Sequence, residues 1–162
     1  MSLILTGPKT ALIAGTVMKC IEIYTKEAYT LPFNFTYDTG GVVDCTGWTI
    51  GVAAIWYTTK ISYTNDGGTG DIEDINISSM VAVSPQPTLP VDLRAVYTSI
   101  STGVGYLYLP TTMSGTTVGT TPLLADTTTL FCIITMTLTR TDGLSGSPDV
   151  SREPIGVIIR YQ

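Results

Sequence analysis

The chain has no histidine among its 162 residues, so no mechanism that needs an imidazole base, proton shuttle or metal ligand is open to it. Charge is also scarce. Eight Lys and Arg stand against 13 Asp and Glu, a formal net charge of −5, and charged residues make up 13% of the chain, about half the usual quarter. With a pI near 4.4, the chain lacks the basic surface that neutralises phosphates, and no nucleic-acid partner is expected. The three cysteines, Cys20, Cys45 and Cys132, form an odd set without C-x-x-C spacing. They support neither a disulfide framework nor a zinc site and read as small buried hydrophobes. No apolar run is long enough to span a bilayer. Ala11–Met18 ends at Lys19 and carries no small-x-small cleavage site, so residues 1–20 read as mature protein and no membrane partner is expected.

What is present is threonine, 29 residues of it, within a chain that is 44% hydrophobic. That hydrophobic content excludes disorder, and the length suits one domain. Threonine is β-branched and sits well on a pleated surface, so a low-charge, Thr-rich chain reads as β structure whose surface other subunits can cover without stranding ions. Period-2 alternation supports this reading. Leu31, Phe33, Phe35 and Tyr37 share a face; so do Trp48, Ile50, Val52, Ala54 and Trp56, then Leu130, Cys132, Ile134, Met136 and Leu138, and finally Ile155, Val157, Ile159 and Tyr161. Gly105–Leu109 is a further strand, ended by Pro110.

Turn text separates these runs at Asp38–Gly41, at Asn65–Gly68 and across Asp142–Pro154, the last reading as a long loop. Thr111–Thr121 reads as a surface loop, and Pro90 as the first turn of a short helix through Val91, Leu93, Ala95 and Val96. Seven to nine strands with almost no helix predict an all-β, immunoglobulin-like or jelly-roll-type β-sandwich with at most one short helix.

Chemistry-bearing motifs are few. No phosphate-binding glycine loop or zinc-protease helix occurs. Gly143–Ser147 faintly matches a nucleophile elbow, but it lacks the final glycine and any histidine base. Asp66–Asp74 places carboxylates along a glycine-rich segment, yet its spacing matches no calcium loop, so a solvated turn is the better reading. Glu73 and Asp74 are adjacent and would point to opposite faces of a strand, unlike a glycosidase pair. No catalytic residue, cofactor or metal site is expected. Tyr57, Tyr106 and Tyr108, from a set of nine tyrosines, are candidate contact residues, because aromatic rings give large contact area at small entropic cost.

From residue 29 onward, Tyr29-Thr30-Leu31-Pro32-Phe33-Asn34-Phe35, then Gly40–Ile50 with its Asp44-Cys45-Thr46-Gly47-Trp48, resembles the text of small β-sandwich domains in tailed-phage structural proteins. The N-terminal domain of phage baseplate upper proteins is the example it is most similar to. Thr128–Leu138, Asp142-Gly143 and Pro154–Ile159 match the strand, turn and final strand that end such domains. The resemblance spans roughly residues 29–160, and its motifs are the general grammar of β-sandwiches. Ser78–Gly119 is longer and richer in Pro and Thr than the family pattern, and the text stops at the domain's end without a coiled-coil or receptor-binding extension. The resemblance therefore implies a small virion component without catalytic residues.

The expected function is that of a non-enzymatic phage structural protein, foremost a capsid cement or decoration protein. Such a protein is assembled into the virion in the host cytoplasm, homo-oligomeric, and bound to the major capsid protein or other virion subunits. A minor tail, baseplate or head-completion role is the alternative, and a carbohydrate-binding module or host adhesin the rival class. Residues 29–162 are expected to form the sandwich and residues 1–28 an apolar arm or first strand in contact with a partner. Leu3, Ile4, Leu5, Leu12, Ile13 and Val17 are its expected contact residues, together with Tyr57, Tyr106 and Tyr108.

Overall fold

A computed structural model describes residues 2–5, 8–24, 27–57, 62–63, 75–77, 80–113, 117–118, 121–122, 129–140 and 149–160. The strands, in chain order, are β1 (Ser2–Leu5), β2 (Lys9–Ile13), β3 (Thr16–Tyr24), β4 (Tyr29–Thr36), β5 (Thr49–Tyr57), β6 (Ser62–Tyr63), β7 (Ile75–Ile77), β8 (Arg94–Ser99), β9 (Val104–Leu109), β10 (Thr117–Val118), β11 (Thr121–Pro122), β12 (Thr129–Arg140) and β13 (Asp149–Arg160). The fold is mostly β, and two sheets pack in a sandwich-like arrangement. The smaller sheet has the order β1-β4-β9-β8, the larger β5-β12-β13-β3-β2-β7-β6, and β10-β11 is a separate pair. Among the described residues, the only helical segments are single 3₁₀ turns at Ile100–Thr102 and Thr111–Met113.

Alternation dictates the packing. Leu31, Phe33 and Phe35 of β4, Leu107 and Leu109 of β9, Trp56 of β5, and Cys132, Ile134, Met136 and Leu138 of β12 are buried between the sheets. Tyr37 lies beyond β4 and is 48% exposed. The strand β13 departs from simple alternation. Ile155, Val157 and Ile159 enter the core between the sheets, while Ile158 joins a second cluster with Ala11, Ile13, Cys20, Ile77 and Phe131. Over Ile155–Ile159, β13 is buried on both faces and apolar but for Gly156, as an interior strand should be.

Residues 1–28 were expected to form an apolar arm or first strand, with more apolar residues than one core could take. Instead, β1 pairs with β4, β2 with β3, and β3 runs parallel to β13. Leu5 is buried in the core between the sheets, and Ala11 and Ile13 are buried in the second cluster, which provides the room that one sandwich core lacked. The sheets therefore cross the expected boundary at residue 28. The expected helix at 91–96 is also corrected. Pro90 starts a turn, its carbonyl accepting from the Leu93 N–H at 3.1 Å, and β-branched and aromatic residues then favour the strand β8. Asp149–Pro154, read as loop, pairs residue by residue with β12. Within Thr111–Thr121, Met113 is buried and Thr117–Val118 pairs with Thr121–Pro122. The turn at Asn65–Gly68 and the segment 141–148 lie outside the described residues.

At the outer edge of β5, the Gln86 side chain acts as a one-residue strand. Its Oε1 accepts from the Trp56 N–H at 2.9 Å, and its Nε2 donates to the carbonyls of Trp56 at 3.0 Å and Val83 at 2.8 Å.

A side chain at Gly156 would meet Cys20 Sγ and the Phe131 ring. Gly156→Ala should therefore cost about 1–3 kcal/mol through overpacking. In a Cys20→Ala background the added cost should be smaller, so chemical denaturation of the four-member cycle should give non-additive losses.

Candidate functional site: the outer face of the four-stranded sheet

Register places every second residue of β1, β4, β9 and β8 on the face turned away from the core. One row runs Ile4, Asn34, Val104; the next Pro32, Tyr106, Val96; the third Thr30, Tyr108, Arg94. Ile4 is 45% exposed and Val104 38%, and Tyr106, Tyr108 and Val96 are half-buried by their neighbours. In these three rows Arg94 is the only charged residue. Its guanidinium lies 4.8 Å from the centre of the Tyr108 ring, a contact worth about 0.5–1 kcal/mol at an exposed site. Its Nη1 is 3.9 Å from Asp92 Oδ1 and donates to the Asp92 carbonyl at 3.1 Å. The face is thus aliphatic and aromatic at its centre, with one already-engaged cation at its rim.

Three of the sequence-derived contact residues, Ile4, Tyr106 and Tyr108, meet on this face. Leu12 and Val17 meet elsewhere, as directly opposed residues of the β2–β3 hairpin, 40% and 70% exposed. The remaining candidates point inward. Leu3 packs against the main core, which buries Leu5; Ile13 is buried in the second cluster. Tyr57 packs on that same cluster, its ring centre 6.0 Å from that of Phe131. The face also includes Thr30, Pro32, Asn34, Arg94, Val96 and Val104, which sequence reading did not single out. The signal was the polar half of each alternating pattern, but only the pairing shows which strands share it.

The shifted titratable groups owe their shifts mainly to burial and to hydrogen bonds with near neighbours. Burial pushes the Cys20 thiol from 9.0 to about 11, although a backbone hydrogen bond at Gly156 opposes it. Burial likewise raises Cys132 and Cys45, and it raises the Tyr97 hydroxyl, with the adjacent Cys45 adding to the effect. Asp44 is held below the usual carboxylate range by the Thr46 hydroxyl and N–H, at 2.6 and 2.9 Å. The Arg140 guanidinium lies 4.7 Å from the centre of the Trp48 ring. Among the described residues, no three His, Cys, Asp or Glu stand close enough to share a metal ion; Asp66–Asp74 and Gly143–Ser147 lie outside them. No helix among the described residues is long and apolar enough to cross a membrane. No protein-family model matches the chain, and no curated protein matches it either.

All three cysteines are free and buried. Ellman's reagent should therefore label none of them in the native chain at neutral pH and all three after denaturation. A raised thiol pKa favours the folded state while the unfolded thiol is still protonated. Stability from Cys20 should thus persist below pH 9 and fall as pH rises towards about 11. Cys20→Ala should flatten that part of an alkaline denaturation series.

Proposed function

We propose that this chain is a non-enzymatic structural subunit of a phage particle, a capsid cement or decoration protein that binds adjacent shell subunits through the outer face of its four-stranded sheet. The observation that carries this reading is the composition of that face: Ile4, Pro32, Val96, Val104, Tyr106 and Tyr108 side by side, with no carboxylate in the three rows. Covering such a face removes apolar area from water, worth about 25 cal/mol per Å², and strands no unpaired ion. Arg94 keeps its partners Tyr108 and Asp92, so its desolvation is partly compensated. The same contact counts against a sugar-stacking platform at Tyr108, because the guanidinium already occupies one side of the ring.

Size separates modes of assembly. Four strands about 4.8 Å apart and six residues long at about 3.3 Å each cover roughly 400 Å². That is half of the roughly 800 Å² per partner found in stable pairwise complexes. A face this small suits a subunit held by several neighbours at once, as on a shell, better than an isolated dimer. A tail, baseplate or head-completion position satisfies the same contact chemistry and differs in copy number.

Particle composition and a reconstruction of the virion test the reading. Symmetry-related copies across the shell, each with Tyr106 and Val96 against a neighbour, are the expected result, and Tyr106→Lys should weaken retention on particles roughly tenfold or more. A few copies at one vertex would replace the cement reading with the tail one. Absence from particles, with reproducible binding on a glycan array, would replace it with a carbohydrate-binding module.

A further inference from the structure

The larger sheet is split. Strands β13 and β3 pair in parallel only over Gly156–Arg160 and Cys20–Tyr24, although β13 begins at Asp149 and β3 at Thr16. Where the ladder stops, a cleft of about 290 Å³ opens between them, lined by Thr10, Thr16–Lys19, Glu153 and Pro154. That is room for roughly ten waters or a short stretch of chain.

The lips of this cleft carry backbone groups in strand order. Ala14 and Gly15 both have positive φ, 48° and 81°, which makes a tight two-residue hairpin turn and closes Ile13–Thr16 as a hydrogen-bonded pair. Leu12–Val17 and Thr10–Lys19 are then non-bonded pairs, and the N–H and C=O groups of Val17 and Lys19 turn towards the cleft. On the other lip, the Gln86 bonds fix Trp56 as an outward-bonding residue of β5. Alternation through Cys132 and Val157 then turns Gly156 and Pro154 towards β3. Proline thus stands where its missing N–H faces the gap, and its carbonyl remains free to accept.

We propose that this cleft is an acceptor site for a short extended segment of a neighbouring subunit, which inserts antiparallel to β3 and β13 and bonds to the free edge of Thr16–Lys19. Donors and acceptors two residues apart match another strand and no compact ligand. Lys19 stands on one lip and Glu153 on the other, and no ion pair joins them among the described residues. The inserted segment therefore fits best with an acidic side chain beside Lys19 and a basic one beside Glu153. The exposed Leu12 and Val17 at the hairpin tip would cover its apolar positions. This inference rests on the assembly reading and supplies the contact area that the sheet face alone falls short of.

Hydrogen exchange on the purified chain and on particles carrying it tests the site. The amides of Val17 and Lys19 should exchange as open-edge groups in the free chain and slow roughly 100-fold or more in the particle. Val17→Pro removes a cleft-facing donor while sparing the β2–β3 bonds, and it should weaken particle association roughly tenfold. Lys19→Glu, which alters no backbone bond, should weaken it in the same direction. Equal exchange in the two states, with the chain still bound, would overturn the acceptor site and leave the assembly reading intact. Absence of the chain from particles would overturn both.

Discussion

The stretch Ile155–Ile159 of β13 is buried on both faces, and the rest of the architecture follows from that constraint. Ile155, Val157 and Ile159 need a sheet opposite them, which the β1-β4-β9-β8 layer provides. Ile158 needs cover on the other side, and the residues that meet it come from β2, β3, β7 and β12. Gly156 lets the two requirements coexist, because only a residue without a Cβ leaves room for Cys20 and Phe131 at that crossing. The hairpin β2–β3 is thus recruited into the body of the protein to satisfy one strand's second face.

Strand identity was widely legible in the sequence, because alternation is a local property. Phe33, Phe35, Trp56, Ile134 and Met136 could be assigned to a core before any pairing was known. Partnership was not legible, because it depends on register between distant segments. Ser2–Leu5 and Lys9–Ile13 look like an arm when one core is assumed, since nothing local announces that Ile13 will find Phe131 and Ile158. Val91–Val96 misleads for a related reason. Its apolar spacing is compatible with a helical face, and only pairing with β9 decides for the strand. The same limit governs the candidate site: Tyr106 and Tyr108 stand out as a pair in the text, but Pro32 and Val96 enter only as their cross-strand neighbours.

The scarcity of charge acquires a location in the structure. On the outer face of the smaller sheet, the positions that would ordinarily carry Lys and Glu hold Thr, Asn, Pro, Val and Tyr, and the exception, Arg94, spreads over Tyr108. Edges are treated differently along the same molecule. Gln86 seals β5 at Trp56 with side-chain amide bonds, whereas Val17 and Lys19 leave β3 open beside Pro154. Under the proposed assembly, closing one edge and leaving another available would limit where association can occur.

The strand β13, in the interior of the larger sheet, is also the last of the described strands in chain order. The β4-β9-β8 part of the smaller sheet can pair as soon as Leu109 is made, but the surfaces that β13 covers stay wet until residues 149–160 follow. Until then the edges of β3 and β12 that pair with β13 lack their partner, and transiently exposed apolar surface and unpaired strand edges of this kind favour aggregation. The order of translation therefore makes completion of the larger sheet a late event, and couples the solubility of the growing chain to its final dozen described residues.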